Sequence, residues 1–234
     1  MEKVRTVSDT KRDFYTQHTR PINSIYRRVV EELLVEIHLL SVNIHFRVDP
    51  IYCLGVVSSF DRFMQGYRPE KDRESIFQAI CHAVGSNPEE YRTSANLALN
   101  LAKRQESIPN LISWFKSPDP QEGEYPLAEA VKAIAQNPQF KYSRLFGIGL
   151  YTMINEIDSE FWREQNSKEE ITTQLAQVFP VSAEKLQKDF DLYQSNLEKI
   201  QQMILVLEEA LEADRKKRER KSLELDVKKD DAQS

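Results

Sequence analysis

The sequence predicts an all-α fold, a compact multi-helix bundle with a long C-terminal heptad helix of coiled-coil type. Three observations lead there. Apolar residues recur at spacings of three and four in nearly every segment, and no convincing period-two strand is found. Only 6 glycines occur in 234 residues, few for the hairpins, bulges and phosphate loops of a sheet protein. Near the C-terminus, Leu186, Phe190, Tyr193, Leu197, Ile200, Ile204, Leu207 and Leu211 are separated alternately by four and three residues, which is a heptad seam.

Each element has its own signals. Thr10 and Asp13 resemble a capping pair that opens a short helix ending before Pro21. The next helix covers about 23–40, where Ile22, Tyr26, Val29, Val30, Leu33, Ile37 and Leu40 form one apolar stripe. In FRVDPIYCLGVVSSFDRFMQGYRP, residues 46–69, the Asp49 carboxylate can accept the orphan amide protons of a first turn. Pro50 fits the first helical position, where its missing N–H costs nothing, and Gly66 is a terminator. Gly55 inside this apolar run carries a penalty of about 1 kcal/mol relative to Ala, which a close helix crossing would explain.

Further helices are predicted over about 73–84, ended by Gly85, and from Asn87-Pro88 to about 105. SIPNLISWFKSPDP reads as a short amphipathic turn of helix followed by a loop. Another helix starts at Pro126 and stops before Asn137-Pro138. YSRLFGIGLYTMINEI, residues 142–157, is apolar on most sides and is the expected central core helix. Ser167 with Glu170 predicts a capping box for a helix ending near Pro180. Ser182 is the expected cap of the last helix, which runs unbroken past Asp214 at a length of roughly 45 Å.

The expected organisation is a globular helical domain over 1–180, the heptad helix over 181–214, and a charged tail over 215–234. That tail, RKKRERK followed by SLELDVKKDDAQS, is expected to be disordered. Each buried seam side chain is worth about 1.5–3 kcal/mol, so the seam packs along the bundle or finds a partner. The first suits its N-terminal half, and the second suits the part from Ile204 on.

With 40% hydrophobic residues, 29% charged residues and a net charge of -5, the chain has the composition of a soluble globular protein. Cys53 and Cys81 sit singly in apolar helical runs and are expected as buried thiols in a reducing compartment. No apolar run reaches the roughly 18 residues of a membrane span. The charged start MEKVRTVSDTKRDF resembles neither a secretory signal nor a transit peptide, so the protein is expected to stay where it is made. The basic run 215–221 carries no interleaved aromatics and follows the heptads, the reverse of basic-zipper order, so nucleic acid is not an expected partner.

RRVVEELLVEIHLL, residues 27–40, raises the possibility of a carboxylate–histidine metal enzyme. Di-iron bundles use Glu-x-x-His, which stacks both ligands on one helix face. Here Glu36 and His38 are two apart and point about 200° from each other. Arg28, Glu32 and Glu36 instead form an i,i+4 charge ladder on the face of a core helix. His18, His45 and His82 lack ligand spacing, and there is no G-x-S-x-G, P-loop or dinucleotide fingerprint. No catalytic residue, metal or cofactor is therefore expected. The alternatives are a helical-bundle enzyme with a carboxylate/His metal site, or peripheral lipid or pigment binding through 215–221 or an apolar groove around Trp114 and Phe115.

The N-terminal stretch TVSDTKRDFYTQHTRPINSIYRR is dense in Arg, Tyr, Phe and His. Arg and Tyr are favoured at binding hot spots, which makes Arg12, Tyr15 and Arg20 candidate partner-binding residues. Equally, they can clamp the short helix onto the bundle through ion pairs. Ile204, Leu207 and Leu211 of the seam are the second candidate group.

The same N-terminal residues, continuing as TVSDTKRDFYTQHTRPINSIYRRVVEELLVEIHLLSVN, resemble the N-terminal block of the thylakoid formation protein family of photosystem II accessory factors. DPIYCLGVVSSFDRFMQGYRP is similar to its second block, and the likeness continues through SIFQAICHAVG and KYSRLFGIGLY into the heptad helix. Val48 and Tyr52-Cys53 depart from the family pattern as core-like exchanges. The absence of a transit peptide resembles the prokaryotic form. The resemblance implies a non-enzymatic, all-helical factor in thylakoid biogenesis and photosystem II assembly and repair. It implies peripheral association with the cytoplasmic face of the thylakoid membrane. It also implies a link to an FtsH-type membrane-anchored ATP-dependent protease as partner, with photosystem II subunits as further partners.

Overall fold

The structure is a computed structural model describing residues 5–231, with side chains described except at 165, 166, 211, 214 and 218–231. Its framework is a crossing of two buried helices, α3 (Pro50–Phe63) and α8 (Arg144–Ile157). Asp49 accepts the Tyr52 N–H at 2.9 Å and Pro50 opens the helix, as the Asp-Pro pair predicts. Ser143 caps α8, and every residue from Leu145 to Ile154 is buried, so this stretch is a central core helix as expected. Two glycines let the helices touch. A Cβ at Gly55 would collide with the Leu145 carbonyl, and one at Gly149 with the Ile51 carbonyl.

The other helices surround this crossing. α1 (Val7–Gln17) lies against α2 (Ser24–Ser41) and α4 (Lys71–Ala83), while α5 (Pro88–Arg104) packs on α3 and α8. α6 (Ile108–Lys116), α7 (Tyr125–Ala135) and α9 (Gln165–Val178) follow, with a 3-10 turn at Phe161–Arg163 before α9. Among the described residues there is no strand. The predicted stripe of α2 is buried at Tyr26, Val30, Leu33, Ile37 and Leu40.

Several local expectations are corrected. α1 is capped by Thr6 with Asp9 in a reciprocal capping box, not by Thr10 with Asp13. Thr10 is instead buried against His38, and Asp13 pairs with Arg5. α9 begins two residues before Ser167, whose hydroxyl donates to Glu164 Oε2 at 3.1 Å, so Ser167 and Glu170 form no capping box. The turn at 108 is a nine-residue helix. Its Trp114 and Phe115 are buried, which removes the apolar groove expected there.

The last helix, α10 (Ala183–Asp231), starts after Ser182, whose Oγ accepts the Lys185 N–H at 3.2 Å. The chain divides into two compact units, one ending at Tyr193 and one beginning at Gln194. In the first, Leu186, Phe190 and Tyr193 are core residues. Phe190 lies 5.0 Å from the ring of Trp162, which stacks on Tyr151 at 4.1 Å. Tyr142 adds a polar tie by donating to Asp189 at 2.7 Å. In the second unit, helix continues through 215–231, where the sequence has no glycine or proline to break it.

Candidate partner-binding surfaces

The first candidate group belongs to α1 and the segment after it. Tyr15 donates to Glu31 Oε1 at 2.9 Å, and Lys11 bonds the other Glu31 oxygen at 2.9 Å. These two donors hold the Glu31 carboxyl below its ordinary pKa, while burial and the same carboxylate push the Tyr15 hydroxyl up. Arg12 points outward with its side chain 69% exposed and pairs along its own helix with Asp9 and Asp13. Arg20 lies 2.8 Å from the nearly buried Asp72, in the first turn of α4. Beside it, burial and the Arg20 charge push the His18 imidazole down, and its Nδ1 contacts Ser75 Oγ at 3.1 Å. Arg20 is thus a clamp holding the α1–α2 connection to α4, whereas Arg12 and part of Tyr15 present a free face.

The second group lies in the unit from Gln194. Ile204 is half-buried and Leu207 is exposed, while the side chain of Leu211 lies outside the described residues. Leu205 and Val206, off the seam, are also exposed.

The charge ladder of α2 is engaged in structural pairs. Glu36 accepts from Arg144, and His38 Nδ1 contacts Thr10 Oγ1 at 2.8 Å. Burial and the nearby Arg5 charge push the His38 imidazole down. Among the described residues, no three His, Cys, Asp or Glu side chains gather as a metal site would require. Cys53 and Cys81 are buried free thiols, and burial pushes both up, Cys81 to about 12, far from a reactive thiolate.

A third surface escaped the sequence reading. Leu39, Val42, Ile44 and Val48, at the end of α2 and in the turn leading to α3, are exposed, Ile44 to 78%. Val48 is therefore not a core exchange, whereas Tyr52 and Cys53 are. The available signal was LLSVNIHFRV, where Leu40, Val42, Ile44, Phe46 and Val48 alternate with polar residues as the helical stripe of α2 ends.

The sequence profile of the thylakoid formation protein family matches residues 6–222. The chain is 57% identical to Protein Thf1 of Rippkaea orientalis over 99% of both chains. It is 54% identical to Protein Thf1 of Gloeothece citriformis over 95% of this chain and 99% of that one. It is 47% identical to Protein Thf1 of a Synechocystis species, over 95% and 92%. A solved structure of Psb29 superposes with a TM-score of 0.70 at 44% identity, covering 84% of this chain and 98% of that one. The quoted blocks, the all-helical fold and these likenesses agree, and the chain belongs to the thylakoid formation protein family.

Proposed function

We propose that this chain is a non-enzymatic accessory factor in thylakoid biogenesis and photosystem II assembly and repair. It acts by binding and stabilising a membrane-anchored FtsH-type ATP-dependent protease at the cytoplasmic face of the thylakoid membrane. The observation that carries the reading is the family match over residues 6–222. The photosystem II part rests on the likeness to Psb29. The chemistry of the polar groups supports binding over catalysis. Glu36, His38 and Glu31 are each engaged by a structural partner, and the thiols are held neutral. No helix among the described residues is long and apolar enough to cross a membrane, which supports attachment from the surface.

Affinity capture from gently solubilised thylakoid membranes, read by mass spectrometry, tests this. The full chain is compared with a chain cut after Gln202 and with an Arg12→Ala/Tyr15→Ala variant. The protease is expected with the full chain. Its loss on truncation assigns docking to the C-terminal seam, and its loss in the double variant assigns docking to α1. Absence of the protease from the full-chain capture overturns the binding mechanism.

A further inference from the structure

The turn between α2 and α3 exposes aliphatic side chains beside basic ones. We propose that Leu39, Val42, Ile44 and Val48 form a lipid-contacting element that enters the headgroup region of an anionic membrane. The proposal rests on the surface attachment proposed above and assigns it to one place in the chain.

Side-chain chemistry is the first argument. These four aliphatics are exposed within ten residues of chain, with Leu39 at 56% and Val48 at 55%, a higher density than the scattered apolar residues of an ordinary surface. Protein hot spots favour Trp, Tyr and Arg and under-use Leu and Val, so an aliphatic cluster fits acyl chains better than a protein groove.

Charge is the second argument. Between residues 37 and 60 there is one acidic residue, Asp49, and it is buried. Asp61 begins the next acidic position and belongs to the far end of α3. Within the turn the surface charges come from Arg47, with His45 beside it. Five basic side chains, Lys141 and Arg144 among them, face three carboxylates in the groove that Leu39 and Asn43 share. The carboxylates of that groove nearest in sequence, Glu32 and Glu36, are each hydrogen-bonded to an arginine, Arg28 and Arg144. The rim therefore complements anionic headgroups.

Backbone satisfaction is the third argument, because an apolar phase penalises every unpaired N–H and C=O. Here several polar groups of the tip are paired within it. The Asn43 N–H donates to Leu40 O at 2.9 Å and the Phe46 N–H to Asn43 O at 3.1 Å. Asn43 Oδ1 accepts the His45 N–H at 3.0 Å. Arg47 Nη1 donates to Ile44 O at 2.9 Å and to Phe46 O at 2.7 Å. The half-buried Phe46 ring, 4.8 Å from Tyr52, fixes this turn to α3. The result is a turn braced by its own hydrogen bonds, with its aliphatics and Arg47 at the surface.

Flotation of the full chain with vesicles tests the assignment. The vesicles are phosphatidylglycerol with phosphatidylcholine, or phosphatidylcholine alone, at low and high salt. Wild type is expected to float with the anionic vesicles and to keep part of that binding in high salt, because aliphatic insertion is not screened. An Ile44→Asp/Val48→Asp variant, exposed at both sites and checked for native helicity by circular dichroism, is expected to lose at least about tenfold in partitioning. An Ile44→Trp variant is expected to show a blue-shifted emission with anionic vesicles only. A variant with the basic residues of 215–221 changed to Gln is expected to keep the salt-resistant part. The proposal is overturned if wild type does not float, if the double Asp variant floats like wild type, or if neutralising 215–221 alone abolishes binding. The vesicles contain no protease, so these failures are separate from a failure of the capture experiment.

Discussion

Asp49 carries two jobs whose electrostatic demands conflict. Its carboxylate caps α3 through the Tyr52 N–H, which favours ionisation, yet the whole side chain is shut away from water. Burial wins over the backbone hydrogen bonds and pushes its pKa up to about 7. An unfolded aspartate titrates near about 3.9, so between about pH 4 and 7 the folded chain binds more protons than the unfolded one. The contribution of Asp49 to stability is thus fully present below about pH 4 and is lost as pH rises through about 7. Asp49→Asn keeps a capping oxygen and removes the titration. In urea unfolding from pH 5 to 8, the stability of the variant relative to wild type is expected to grow with pH; a flat difference would show that Asp49 stays ionised. The cap was legible because Asp-Pro is a local signal. The raised pKa was not, because the groups that exclude water belong to the tertiary fold. Thr10 makes the same point in reverse: its spacing to Asp13 looked like a cap, but a buried histidine 28 positions away claims its hydroxyl.

At the scale of elements, the α3–α8 crossing organises the bundle. Alanine stabilises an isolated helix by about 1 kcal/mol over glycine, so propensity alone predicts that Gly55→Ala raises the melting temperature. The crossing predicts the opposite sign. The added Cβ meets the Leu145 carbonyl, which is backbone and cannot rotate away. Overpacking of this kind costs about 1–3 kcal/mol, and each kcal/mol lowers Tm by about 2–4 °C in a chain of this size. Thermal unfolding followed by circular dichroism reads the sign directly, and a raised Tm would mean that the two helices are not in backbone contact. The glycine in an apolar run showed that something approaches closely there. That its neighbour is Gly149 of a helix some ninety positions away was decided by packing.

At the scale of the whole molecule, the heptad seam is continuous in sequence but not in burial. Leu186, Phe190 and Tyr193 are core residues, while Leu197, Ile200 and Ile204 are half-buried and Leu207 is exposed. Removing everything after Gln202 is therefore expected to shift the melting temperature of the remaining chain by less than about 2 °C. Phe190→Ala is expected to destabilise it by about 3–5 kcal/mol, since the ring contacts both Trp162 and Tyr151. Equal effects of the two changes would show that the seam works as one unit.

What the sequence determined by itself was whatever repeats or caps within a few residues. The helices, most of their ends, the central character of 142–157, and the capping of α3 and α10 follow from local spacing. The family could be read as well, because long blocks of residues carried it. The tertiary structure alone decided which polar groups face which. It made Arg20 a clamp on Asp72, tied Glu36 to Arg144, buried Trp114 and Phe115, and left Ile44 and Val48 in the open. The physical reason is that burial and pairing depend on residues far apart in the chain, whereas periodicity and capping are settled within one or two turns of helix.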